Sequence, residues 1–139
     1  NASCAIGPFI RLFDDKFSID NVRQANISLT VEGPDGFRME GNSSMKEISR
    51  DPLELVQHCS GNHHQYPDGL MLFLGTMFAP IQDRDEPGQG FTHKVGDIVR
   101  IHTPLLGSLV NRVNTCDQIP PWTFGTRALM RNLAQRGLL

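Results

Sequence analysis

The sequence predicts an α+β fold dominated by short β-strands, with two helices. Three observations carry this. Glycine and proline are frequent, 13 and 9 of 139 residues, and so much punctuation disfavours a long helical bundle. Residues 26–32 and 97–103 alternate apolar and polar side chains with the period of a half-buried strand. Residues 49–60 carry both the start and the stop signals of a helix.

Residues 6–13 (IGPFIRLF) predict a short strand. In residues 26–32 (NISLTVE), Ile27, Leu29 and Val31 share one face. The loop Gly33-Pro34-Asp35-Gly36 then turns the chain so that residues 37–40 pair back as a hairpin. Residues 42–44 offer turn and cap side chains. Within 49–60, Asp51 suits the N-cap, Pro52 the first helical position and Gly61 the stop. The unbroken apolar run 70–74, bounded by Pro67-Asp68-Gly69 and Gly75, predicts a fully buried strand, and the polar stretch 82–92 an exposed loop. In 97–103, Val99, Ile101 and Thr103 share one face and Ile98, Arg100 and His102 the other. A turn and last strand follow through Val113. Residues 122–138 predict a C-terminal helix with Arg127, Arg131 and Arg136 and no acid.

Charge and composition exclude several classes. Thirteen Lys and Arg against 15 Asp and Glu give a net charge of −2, so no broad basic field points to nucleic acid or an acidic membrane. The apolar run 69–80 is too short to span a bilayer, which takes ~20 residues. No secretory leader is visible. Cys4, Cys59 and Cys116 are odd in number, widely spaced and without a C-x-x-C; this predicts a reduced, cytoplasmic setting rather than a disulfide framework. Sequons begin at Asn1, Asn26 and Asn42, but such triplets are common by chance.

His58, Cys59, His63 and His64 are the densest group of metal-type ligands, yet no second ligand pair accompanies them, and a solvated helix end is the expectation. Asp83, Asp85 and Glu86 surround Arg84, which predicts surface ion pairs rather than a Mg²⁺ site. Gly88-x-Gly90 lacks the context of a phosphate cradle, no G-x-S-x-G elbow occurs, and Asp14 and Asp15 read as turn acids. Gly75-Thr76 is sharper: a glycine that allows close approach, followed by a hydroxyl and a backbone N–H, can hold a carboxylate or an oxyanion.

Three segments in order now bring a family into view. Asp68-Gly69 through Gly75-Thr76, then Val95-Gly96-Asp97-Ile98-Val99, then Leu106-Gly107-Ser108-Leu109-Val110-Asn111-Arg112-Val113 resemble the fumarylacetoacetate hydrolase family. The Gly7-Pro8 turn, the 26–40 hairpin and the 42–60 loop and helix fit the same order, so the resemblance covers nearly all of residues 1–139. Met77-Phe78-Ala79-Pro80 after the Gly-Thr, and Trp122-Thr123-Phe124-Gly125 near the end, resemble a bacterial branch that includes dehydratases of 2-keto-3-deoxy sugar acids.

The resemblance implies a mixed β roll, a homodimer, and Mg²⁺ or Ca²⁺ acting on a 2-oxo acid, with Gly75 and Thr76 binding its carboxylate or keto oxygen. It also implies metal ligands in a Glu-x-Glu pair and a later Asp, ahead of the Gly-Pro turn. No Glu-x-Glu occurs in this chain. The expectation is therefore the C-terminal part of a catalytic domain, without metal ligands or catalytic residues of its own and inactive alone. Two other readings stand beside it: a self-contained β-rich binding or assembly domain, and a small metal module using His58, Cys59 and His63.

Overall fold

The computed structural model describes residues 4–75 and 79–139. Among these, α1 (Ile19–Arg23), β1 (Asn26–Glu32), β2 (Arg38–Ser44), α2 (Pro52–Cys59), β3 (Ile98–Thr103), β4 (Gly107–Arg112) and α3 (Thr126–Gln135) follow in order, with single 3-10 turns at Met45–Glu47 and Cys116–Gln118. The fold is α+β. The four strands form one sheet in the order β2-β1-β3-β4, antiparallel throughout.

Side-chain alternation decides how this sheet is used. Register pairs Leu29 with Gly41 and Ile101, Val31 with Met39 and Val99, and Ile101 with Leu109. Ile27, Leu29, Val31, Met39, Val99, Ile101 and Leu109 therefore lie on one apolar face. The other face carries Arg38, which is ion-paired to Glu32 and Glu40. Val31 and Met39 are fully buried, and Phe17 and Met45 complete the buried apolar set. Around Ile101 the same face is open: Ile101 is 42% exposed and Leu106 61%. A sheet with one apolar face normally buries it under a second layer; here that layer covers only one end.

Helix α2 starts where its cap chemistry requires. Asp51 accepts a hydrogen bond from the Leu53 N–H at 2.9 Å, and Pro52 occupies the first turn, where its missing N–H costs nothing. The same carboxylate receives Arg23 Nε at 2.5 Å and Nη2 at 3.1 Å, tying α2 to α1. Asp51→Ala is expected to lower the thermal midpoint by roughly 4 °C, and Asp51→Asn, which still caps, by less; a melt followed by circular dichroism checks this.

Several sequence expectations are corrected. Residues 6–13 form no strand, and Phe9 and Ile10 are 91% and 78% exposed; Pro8 removes a ladder donor, and the described strands leave no partner for this segment. Residues 70–74 form no strand either, and Met71 and Phe73 lie largely in solvent. Among the described residues the α-helices number three, the extra one being the one-turn α1. The second hairpin strand runs on to Ser44 rather than stopping at Glu40. No helix among the described residues is long and apolar enough to cross a membrane. Among the described residues Cys4 and Cys59 form no disulfide.

Candidate functional site

Of the two residues singled out for binding, Gly75 is described and Thr76 lies outside the described residues. Gly75 has φ +88°, a left-handed conformation that glycine adopts without penalty. Among the described residues nothing lies within 4 Å of where a Cβ would project. It borders a cavity of about 320 Å³ walled by Phe17, Met45, Leu72, Thr103 and Leu105, among others. Among the described residues no charged side chain lines this cavity. Thr103 is buried, and its hydroxyl has no hydrogen-bond partner among the described residues. The arrangement suits an apolar group approaching the Gly75 backbone, and the described residues around it supply no general base.

The remaining candidates separate in space. His58 lies on the exposed end of α2, 3.7 Å from Glu54, whereas His64 closes a turn with Gly61 and packs on Tyr66. His102 Nδ1 lies 2.9 Å from Ser108 Oγ, but the two are cross-strand partners in β3 and β4, and no carboxylate among the described residues orients the imidazole. No group of three His, Cys, Asp or Glu side chains among the described residues is placed to hold a metal. The cation implied by the resemblance therefore has no fitting ligand set here.

The densest polar cluster was not legible as such. Arg84, expected on a surface loop, is almost fully buried. Its guanidinium donates to both oxygens of the buried Asp97, at 2.6 and 2.9 Å, to Asp35 at 3.1 Å and to the Thr92 carbonyl at 3.2 Å. The Phe37 ring lies 4.4 Å beneath it. Lys94 joins Asp35 to Asp85. Asp83 closes the loop by accepting from the Gly88 and Gly90 N–H groups, both at 2.8 Å. A Cβ at Gly33 would collide with Asp35 and Arg84, so that glycine admits the guanidinium. This cluster pins the hairpin turn, loop 82–92 and the start of β3 to one another.

Its electrostatics set a pH dependence. Arg84 holds the Asp97 carboxyl down to about 2. The Phe37 N–H, followed by Lys94 and Arg84, holds Asp35 down to about 2. Both lie below the ordinary value of 3.8. A depressed folded-state pKa stabilises above the unfolded value and is lost as pH falls through the folded one. Stability is therefore expected to be flat with respect to these groups above about pH 5 and to drop between about 4 and 2. Urea midpoints measured across that range check it.

Comparison with family models, with curated proteins and with solved structures finds no match to the chain.

Proposed function

We propose that this chain supplies the C-terminal part of a fumarylacetoacetate hydrolase-like catalytic domain acting on a 2-oxo acid, by C–C hydrolysis or by dehydration of a 2-keto-3-deoxy sugar acid. The observation that carries this reading is the order of three motifs: Gly75-Thr76, Gly96-Asp97 and the Leu106-to-Val113 segment. One structural feature supports it. Gly96-Asp97 and the last motif are joined at one place, the Gly96 N–H donating to Val113 O at 2.9 Å and the Val113 N–H to Asp97 O at 2.8 Å. The fold, in this reading, is part of the family's mixed roll, and the working unit is a homodimer in the cytoplasm.

In this reading Gly75 and Thr76 hold the substrate carboxylate or keto oxygen by backbone N–H and hydroxyl. The metal ligands belong to sequence ahead of the Gly7-Pro8 turn, and the chain alone neither turns over substrate nor binds Mg²⁺ or Ca²⁺ tightly. The test compares two polypeptides. One is this chain; the other is the product of a reading frame continuing upstream with a Glu-x-Glu and an Asp. Mg²⁺-dependent turnover of a 2-oxo acid by the longer product alone is the expected result. Turnover by the 139-residue chain, or stoichiometric Mg²⁺ binding to it by calorimetry, would overturn it. The uncovered sheet face favours a second reading, an assembly domain without catalysis, and a start codon near Asn1 would decide for it.

A further inference from the structure

The cavity beside Gly75 differs from the rest of the apolar surface in one respect: its wall holds a polar group with nothing to bond. Thr103 follows Val99 and Ile101 along β3 on the apolar face of the sheet. Its side chain is therefore turned toward the cavity, which it lines with Ile27 and Met45. Thr103 is 7% exposed, and among the described residues its hydroxyl meets no donor or acceptor. Its cross-strand partner is Gly107, which has no side chain to offer one. A buried hydroxyl left unpaired in this way costs free energy that a bonding partner would return.

The walls set what that partner can be. Phe17 and Met45 are each 5% exposed. The Met45 N–H donates to the Ala25 carbonyl at 2.9 Å, which ties the first 3-10 turn to the start of β1 and holds that side of the cavity in shape. Leu72 and Leu105 close it from two other segments. Its volume of about 320 Å³ lies at the small end of ligand sites, which run from roughly 300 to 1,000 Å³. That is room for one substituted ring and too little for a nucleotide cofactor. Because none of the described lining residues is charged, a carboxylate, phosphate or ammonium group taken inside would lose its hydration against nothing that replaces it.

We propose that this cavity binds a small uncharged molecule, aromatic or branched aliphatic, with a single hydroxyl or carbonyl group. That group bonds the Thr103 hydroxyl while the apolar body fills the space between Phe17, Met45 and Leu72. The threonine hydroxyl can donate to a carbonyl, and can either donate to or accept from an alcohol. Burial of the apolar body supplies most of the affinity, and Thr103 fixes the orientation. The inference concerns the interior of the cavity and does not rest on the catalytic reading, which places its carboxylate on the Gly75-Thr76 backbone and hydroxyl; it stands or falls independently of any activity.

The test uses the full chain of 139 residues and three ring compounds: benzyl alcohol, toluene and benzoate. Binding is followed by NMR titration, and its place by ring-current shifts of the Met45 methyl signal. Benzyl alcohol and toluene should each bind at one site per chain and move that signal. Benzoate should bind at least roughly a hundredfold more weakly than benzyl alcohol. Thr103→Val keeps the shape and removes the hydroxyl. It should weaken benzyl alcohol by roughly threefold to tenfold and leave toluene unchanged, and Thr103→Ser should restore the alcohol. Leu72→Trp, in a segment outside the strands and helices, should fill the space and abolish binding of both neutral compounds. No binding of either neutral compound, benzoate bound as tightly as benzyl alcohol, an equal loss of alcohol and toluene in Thr103→Val, or undiminished binding to Leu72→Trp would overturn the proposal.

Discussion

Replacing Arg84 by Met is expected to destabilise the chain by about 3 kcal/mol, the lower end of what breaking a buried ion pair costs. The lower end applies because Asp35 and Lys94, which flank the pair, remain partly in solvent. The loss arises chiefly from what is left behind. Asp97 has no solvent exposure; without the guanidinium it keeps a Lys94 N–H at 2.9 Å and a 3.5 Å approach from His93, too little to compensate a buried charge. The double variant Arg84→Met/Asp97→Leu should recover part of the loss, since removing both charges removes the uncompensated one. Chemical denaturation of the three variants checks this. Equal destabilisation of the single and double variants would mean that the fold needs the cluster's shape rather than its charge balance. In Arg84→Met the drop in stability between about pH 4 and 2 should also shrink.

On the reading proposed above, in which the chain completes a longer 2-oxo acid enzyme and Thr76 is one donor to a developing oxyanion, Thr76→Val in that enzyme is expected to lower turnover by roughly 10²-fold. Valine matches threonine in shape, so a packing role would leave the rate nearly intact. Thr76→Ser, which keeps the hydroxyl, should retain most of the activity. Steady-state kinetics on a 2-oxo acid separate the cases: a fall in kcat/KM and kcat together marks an interaction made in the transition state, and a rise in KM alone marks ground-state carboxylate binding. Unchanged kinetics would remove Thr76 from the site.

The parts of this fold legible in the sequence are those whose physics is local. β1 and β3 show period-2 alternation because one side of each faces the sheet's apolar side. Asp51-Pro52 marks a helix start because capping is decided within four residues. The apolar run 70–74 misleads because periodicity cannot say what such a run packs against. It lies between Gly69 and Gly75, both with positive φ, and no strand partner reaches it. Arg84 misleads in the opposite sense: its immediate neighbours are acids that suggest solvent, while the groups that bury it are Asp97, 13 positions on, and Asp35, 49 positions back. A turn acid at each of two glycine-bearing corners, 35 and 97, was the available signal. Gly75 was legible as a special backbone position; the cavity beside it was not, since Phe17, Met45 and Thr103 come from three distant segments.

The pairing of β1 with β3 has a kinetic corollary. Ser28 and His102 face each other across 74 positions, so the central seam of the sheet closes only after a long stretch of chain has been gathered. The entropy of closing that loop is spent before the seam's hydrogen bonds form. High contact order of this kind places folding toward milliseconds to seconds rather than microseconds. Until then the β1–β2 hairpin, whose turn is local, waits with an unpaired edge, and the Arg84 cluster can assemble only once the seam has set its register. A ribosome-bound chain would therefore hold a formed hairpin through the synthesis of some 60 further residues, a window in which that edge is open to mispairing.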